Sequence, residues 1–511
     1  MTIVSDLLYE ALINTALLMT GIALLNVVQA PRSDGADRHV SLAAAAVALG
    51  SSAFILVLAV TSLLHINRPA VVLLPPALAL ALAVTVRRSG SIVIHVVRAV
   101  PAAALIAATA AVVARLLRMG SFTGDSFHLI ANARLFAHNR ILLFALDEPF
   151  GFESFPPGYS LLQLPSAWGG HTANLSLGLL VAGAIIVQIG DLLRAGPRPA
   201  PTLLVGAVVG TLVATHFFWV MTTYINSHAL VALLLLVAYA LLRDAERPPE
   251  LPAPSVGGLA PLLVVLSALV LLRVENVLIL VLFLSVLWRI DRASPGRTRT
   301  LRAGLAVVGA TAVLHQMVVI AVYVATGSSP SVSSLGLTGV GIAALLTAAF
   351  TPWLIRARVL PAEYAVLAMV AANVAYAALD LRSFARSVLA VLENLFALRG
   401  GWGILPIAVV LLAGAAWLTT SPDDREGAEV RRLLRFCVAA VLLLFFTGFL
   451  RDEPFRVGAG DSFNRQLFHL LPLVMVAIGR AIGRSGSLHQ VQVEAAADRP
   501  AEKTDRAHER Q

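Results

Sequence analysis

Apolar residues in this chain come in runs long enough to cross a bilayer, which takes roughly 20 residues. Short links rich in Arg, Pro and Gly separate the runs. Four runs, at 7–28, 42–64, 70–86 and 94–117, precede the longest polar interruption, 120–172. Runs at 172–191, 201–220 and 227–243 follow it, then a Pro-rich link and the stretch 257–290. That stretch exceeds one span and is interrupted by Arg273, Glu275 and Asn276. It reads as two spans, or as one span with a re-entrant piece. Runs at 303–325, 337–353, 359–379, 403–419, 432–450 and 464–482 complete the pattern. The expected fold is all-α, a polytopic transmembrane helical protein of about 13–15 spans. The pattern divides it into N-terminal transmembrane helices (1–117), a polar loop (118–171), a helical core (172–482) and a tail (483–511) expected to be disordered and cytoplasmic.

Composition agrees with the pattern. Of 511 residues, 58% are hydrophobic and 13% charged, with mean hydropathy +0.84. Soluble domains carry roughly twice that charge. The net charge of +9 would suggest nucleic acid in a soluble protein, but here the arginines cluster in short links between spans. That is the positive-inside tendency, so no nucleic-acid partner is expected. Arg87, Arg88, Arg243, Arg247, Arg289, Arg292, Arg431 and Arg432 fall on one side if the 118–171 loop faces away from the cytoplasm. Arg382, Arg386 and Arg399 fall on the other side and run against the trend. The tendency favours about 15 spans, with the N-terminus outside and the C-terminus inside. The single cysteine, Cys437, excludes an intrachain disulfide. Asp6 and Glu10 stand where a signal peptide has its basic region, so a cleavable leader is not expected.

The same assignment puts 118–171, the link at 222–226, the 380–402 loop and 451–464 on the outer side, with the turn at 273–276 if 257–290 is two spans. The 118–171 loop carries the densest chemistry. Asp125 and Ser126 form an N-cap pair for a helix to about Ala137. Asp125, His128 and Asn132 share one face of it; Leu129, Ala133 and Phe136 share another. Either Asp125 only caps an interfacial helix, or it is a carboxylate within reach of a hydroxyl proton. Glu148 and Glu153 lie further along, and Pro156, Pro157 and Gly158 make a stiff turn before Tyr159. Tyr159 and Trp168 fit either an aromatic anchor in the bilayer interface or the wall of a ligand slot.

The tetrapeptide GDSF at 124–127 recurs at 460–463. In the second copy Asp461, Arg465 and His469 recur every four residues at the start of the last span. Arg465 either pairs with Asp461 or presents its planar fork to a phosphate. Arg451 and Arg456 are weaker phosphate candidates. Arg273 and Glu275 lie in an apolar run, where ionisable residues are functional candidates unless they simply satisfy each other. His216 and His228 flank an outer turn and read as structural. There is no phosphate-binding glycine loop, HExxH or CxxC, so nothing suggests nucleotide hydrolysis.

The segments GDSFHLIANARLFAHN, DEPFGFESFPPGYSLLQLPSAWGG, LLRVENVLIL and GDSFNRQLFHLLPL together resemble the GT-C superfamily of polytopic glycosyltransferases. Protein mannosyltransferases and aminoarabinose transferases belong to it. The resemblance touches about half the chain, and Ser126 stands where the family commonly has a second acidic residue. It implies a GT-C-like fold whose extracytoplasmic loop holds interfacial helices, in a bacterial plasma membrane with the site facing the outside or periplasm. It implies a polyprenyl-phosphate-linked sugar as donor, a lipid, glycan or protein as acceptor, and membrane lipids as surroundings. Asp125 would be the general base, and Arg465, with His469, Arg456 and Arg273, would hold the donor phosphate. His128, Asn132, Glu153, Tyr159, Glu275 and Asp461 would bind substrate. A divalent cation, Mg2+ or Mn2+, is compatible with the resemblance but no ligand set is specified. The competing expectations are an envelope glycan polymerase or ligase, a lipid or solute transporter without covalent chemistry, and an accessory membrane subunit. A ligase would carry its essential residues in a large late loop, and the short 380–402 loop has no histidine.

Overall fold

The computed structural model describes residues 3–28, 40–64, 66, 68–87, 91–117, 124–139, 158–171, 173–195, 199–245, 260–273, 275–287, 304, 362–450, 454–458 and 460–497. Among them every regular element is helical. The helices are α1 (Ile3–Val28), α2 (Leu42–Leu63), α3 (Leu74–Arg87), α4 (Ser91–Leu116), α5 (Gly124–Asn139) and α6 (Gly158–Trp168). Then follow α7 (Leu177–Arg194), α8 (Thr202–Ala214), α9 (His216–Thr223), α10 (His228–Ala245), α11 (Ala260–Val270) and α12 (Asn276–Leu287). After 288–361 come α13 (Ala362–Leu379), α14 (Leu381–Leu395), α15 (Leu405–Thr419), α16 (Arg425–Leu450), α17 (Ser462–Leu467) and α18 (Leu471–Ala497). The expected runs at 303–325 and 337–353 lie outside the described residues, Gly304 apart.

Among the described residues five helices are long and apolar enough to cross a membrane, α1, α2, α4, α7 and α16, against the 13–15 spans expected for the whole chain. A sixth crossing forms if α8 and α9, bent by 67° at Thr215, are one broken span. The chain is a polytopic helical membrane protein. Within 257–290 the described residues form two helices separated at 271–275. Helices α11 and α12 have 11 and 12 residues, each rising only about 17 Å at 1.5 Å per residue. The helix stops at Arg273 and Glu275, whose side chains bond each other instead of continuing the apolar surface. Helix α18 continues to Ala497, past the boundary expected at 483; residues 498–511 lie outside the described set.

Helix α10 is the central pillar. Every residue from Ala229 to Leu242 is buried, because α7, α11, α2 and α18 surround it. Its two ends define the two ends of the molecule. His228 opens it and Arg243 lies in its last turn. Two glycines permit close approaches at the His228 end. A Cβ on Gly178 would sit 1.9 Å from the Thr222 carbonyl oxygen, and one on Gly158 would sit 2.5 Å from that of Leu271. Helix α1 is tied to the same end by polar side chains. Asp6 meets His171 at 2.5 Å, and Glu10, 1% exposed, receives Arg115 at 2.8 Å and Ser176 Oγ at 2.9 Å. Neither Asp6 nor Glu10 had signalled a structural role in the sequence.

Candidate functional site

Each polar piece expected on one side is found at the His228 end where it is described. Helix α5 arrives first. Buried Ser126 donates its hydroxyl to the Ile225 carbonyl at 3.0 Å. This pins the first GDSF copy to the turn that leads into α10, three residues before His228. Asp125 stands in the first turn of α5, beside that anchor. The side chains of Asp125 and His128, and Glu153 as a whole, lie outside the described residues.

Helix α5 does not divide into a buried apolar face and an exposed polar one. Leu129, Ala133 and Phe136 are buried as the periodicity requires, but so is Asn132, at 0% exposure. The exposed positions are Phe127, Arg134 and His138. Asn132 faces inward because α6 covers that side. Helix α6 is itself buried from Gly158 to Ser166, including Tyr159. Tyr159 is therefore an interior wall residue and not a bilayer anchor. The N–H of Gly158 donates to the Leu271 carbonyl at 2.8 Å, which seats the start of α6 on the α11–α12 break.

At that break lies a buried polar cluster. Arg273 Nε donates to Glu275 Oε1 at 2.5 Å, and Gln466 Nε2 donates to the same oxygen at 2.8 Å. Arg273 Nη1 reaches His228 Nε2 at 3.4 Å. His228 Nδ1 and His469 Nε2 are 2.9 Å apart, with the rings stacked at 5.1 Å. Arg273 and Glu275 thus satisfy each other, as one reading of the sequence had it. They also join two histidines from distant parts of the chain. His228, read as structural from the sequence, is the link between them.

The bonding assigns the imidazole protons. A guanidinium only donates, so His228 Nε2 is the acceptor. A neutral His228 then carries its proton on Nδ1 and donates it to His469 Nε2. A neutral His469 must in turn carry its proton on Nδ1. That nitrogen is buried and has no partner among the described residues. The same holds for Gln466 Oε1 and for both amide atoms of Asn132. An unmade hydrogen bond at a buried polar atom costs about 1–3 kcal/mol. Four such atoms belong to residues of α5, α17 and the turn before α18, and other buried polar atoms without a partner lie elsewhere, among them Ser51 Oγ, Ser62 Oγ and Arg243 Nε.

The second GDSF copy frames the other wall. Asp461 caps α17 by accepting from the Asn464 N–H at 3.2 Å, and its other oxygen accepts from the Arg456 N–H at 2.9 Å. Both oxygens hold backbone, which fixes α17 and so aims Arg465, Gln466 and His469. Arg465 is half-buried one turn before His469, and Arg456 is exposed. The 380–402 segment closes this wall. Asn394 Nδ2 donates to the Arg456 carbonyl at 2.9 Å, and Trp402 Nε1 donates to Asn464 Oδ1. Trp402 stacks on Phe217 with ring centres 4.0 Å apart. Among the described residues no three His, Cys, Asp or Glu side chains gather as a metal site. No described set fits Mg2+ or Mn2+, and no step is assigned to either.

The arrangement is a buried, charged polar cluster at the end of an apolar helical bundle, consistent with transport or with catalysis at the membrane. No family model matches this chain, and neither a curated protein nor a solved structure matches it, so the site is read from its own residues.

Proposed function

We propose that the protein is a membrane glycosyltransferase of GT-C type, moving a sugar from a polyprenyl-phosphate donor to an acceptor hydroxyl. Asp125 takes the hydroxyl proton as the oxygen attacks the anomeric carbon. The bond from that carbon to the phosphate oxygen breaks, its electron pair leaves with the polyprenyl phosphate, and the centre inverts. Arg465 and Arg273 neutralise the phosphate, where negative charge gathers in the transition state. His469 donates from Nδ1, and Asn132 and Gln466 hold sugar hydroxyls. His128 and Glu153 are further sugar contacts on the resemblance alone. The observation that carries this reading is the set of unspent polar atoms at the end where Ser126 anchors the Asp125 turn to the His228 turn. The apolar helices around that end give the isoprenoid tail a place to lie.

The test is sugar transfer by purified protein in nanodiscs with a panel of radiolabelled polyprenyl-phosphate sugars, comparing wild type with Asp125→Asn. Water and a membrane-lipid extract serve as acceptors, and donor binding is read in parallel. Loss of transfer or hydrolysis in the variant, with donor binding kept, supports the reading. The absence of both turnover and binding of every donor by wild type contradicts it.

One observation favours transport instead. The α11–α12 break places buried Arg273 and Glu275 between two short half-helices, as transporters do at their binding sites. Under that reading Asp125→Asn keeps substrate flux in proteoliposomes and Glu275→Gln abolishes it.

A further inference from the structure

Helix α14 carries a face that the other described residues leave exposed. Its buried positions, Ser387, Ala390 and Asn394, all fall on one side. That side rests on chain that ends or leaves other helices. Ser383 Oγ meets Tyr376 Oη of α13 at 2.8 Å, and Phe384 packs edge-on to Phe445 of α16. Ser387 Oγ accepts from the Phe455 N–H at 3.1 Å. The buried side of α14 thus rests on the C-terminal parts of α13 and α16 and on the segment after α16, at the site end of the bundle.

Opposite the buried side runs an apolar stripe. Leu381 is 68% exposed, Leu389 60%, Leu392 46% and Phe396 43%. Ala385 completes it at helical spacing. Along one flank stand Arg382 and Arg386, four residues apart and exposed. Neither has an ion pair or other partner among the described residues. Glu393, on the same flank, is taken by Arg399 at 2.7 Å. Like charges at this spacing repel unless an anion lies between them.

The flanking helices set the level at which this face lies. Helix α13, joined to α14 through Asp380, exposes Leu367, Val370 and Val374. Helix α15, which follows, exposes Ile407, Val410 and Leu411. These apolar faces belong in hydrocarbon, and α14 connects their ends. Its stripe continues them at the boundary where acyl chains meet headgroups. A helix with an apolar stripe and a cationic flank at that depth has the make-up of one lying in the membrane surface.

We propose that α14 is a membrane-surface helix whose Arg382 and Arg386 together hold the phosphate of an anionic phospholipid headgroup. The guanidinium forks suit phosphate oxygens better than ammonium groups would. An acidic protein partner would match the arginines but not the leucine stripe that runs on into the lipid-facing helices. The inference explains why arginines stand at an end where the positive-inside tendency disfavours them. It requires only the membrane fold and is independent of the proposed chemistry. Through Asn394 the bound lipid would steady the 454–464 wall of the site, since Asn394 bonds both the Arg456 carbonyl and the Gly458 N–H.

The test uses full-length protein released from detergent into a native mass spectrometer, with phosphatidylglycerol and phosphatidylcholine as competing probes. Wild type is expected to retain phosphatidylglycerol several-fold over phosphatidylcholine, and R382Q/R386Q to bring the two level. Unchanged phosphatidylglycerol retention in that variant overturns the headgroup site. Retention of undecaprenyl phosphate alone, lost in the variant, also overturns it, by assigning the arginines to the isoprenoid lipid. A second measurement fixes the depth. Cys437 is buried, so Leu389→Cys offers one reactive thiol for an environment-sensitive fluorophore. Quenching by shallow-brominated lipid in vesicles is expected, and quenching by aqueous iodide instead overturns the surface placement.

Discussion

Helix α10 holds a buried charged cluster at each end, and the two are built differently. At the far end Glu429 is the hub. Its Oε1 accepts from Tyr239 Oη at 2.5 Å and from Arg480 Nη1 at 2.7 Å, and its Oε2 pairs with Arg243. Arg480 also donates to the Leu192 carbonyl at 3.0 Å, so α7, α10, α16 and α18 are clamped at one point. Both carboxylate oxygens are occupied. At the near end Glu275 meets Arg273 and Gln466, but the chain of bonds runs on through His228 to His469 and stops at a nitrogen with no described partner. A closed cluster holds helices together. Arg243, though ion-paired to Glu429, also buries an Nε that makes no hydrogen bond, so an unmet donor does not by itself separate the two clusters; they differ in that Glu429 is bonded through both carboxylate oxygens and Glu275 through Oε1. Burial alone does not tell them apart, because Glu429 and Glu275 are both nearly inaccessible.

The comparison breaks most directly at Glu429. Glu429→Gln leaves two buried arginines without their counter-charge, which costs about 3–5 kcal/mol. Thermal unfolding in detergent should show it as a large drop, while activity per folded molecule stays close to wild type. If stability is unchanged, the clamp reading fails. His469→Gln comes next. Its amide still reaches His228 where Nε2 was, but the Nδ1–H is gone. Transfer should fall by about 10²-fold, as for loss of one donor to developing charge, with the unfolding temperature near wild type. A matching loss of stability would make His469 a structural residue.

Asn132 sharpens the contrast by sign. Replacing a satisfied buried amide destabilises, whereas replacing an unsatisfied one by an apolar group of like shape is neutral or stabilising, by about 1–3 kcal/mol at most. Asn132→Leu should therefore unfold at or above the wild-type temperature and lose donor binding. A clear decrease in unfolding temperature would mean that its amide has a partner in the folded protein. The smallest effect is expected at Glu10. Glu10→Gln keeps hydrogen bonds to Arg115 and Ser176 but removes the charge, for about 1–3 kcal/mol of stability. Transfer per folded molecule should be unchanged. A selective loss of transfer would extend the site into α1.

Much of the architecture was legible in the linear pattern. Apolar run length gave the membrane helices, and the polar interruptions marked the pieces that meet at the His228 end. The Arg273–Glu275 pair was readable because its partners are two residues apart. What the pattern hid is tertiary. His228 and His469 are 241 residues apart, and nothing local to either announces the other. Asn132 was placed on a polar face because periodicity counts side-chain type and cannot see that α6 covers that side. Tyr159 reads as an interface aromatic by type, yet α6 is buried through Ser166. The length of 257–290 and its interruption at Arg273–Asn276 suggested two spans or a span with a re-entrant piece, and the helix does break there, between Val270 and Asn276. Glu429 drew no notice, and Glu10 counted only against a cleavable leader, since a lone acid at the edge of an apolar run looks like a helix end.

If the proposed function holds, the near cluster binds the ligand and the far cluster clamps helices. The most direct measurement follows undecaprenyl phosphate binding and thermal unfolding side by side in nanodiscs for wild type, His469→Gln and Glu429→Gln. The account predicts that His469→Gln weakens binding at near-normal stability, while Glu429→Gln lowers stability and leaves the folded fraction binding as wild type does. Equal loss of both properties in the two variants, or binding lost only with Glu429, would contradict it.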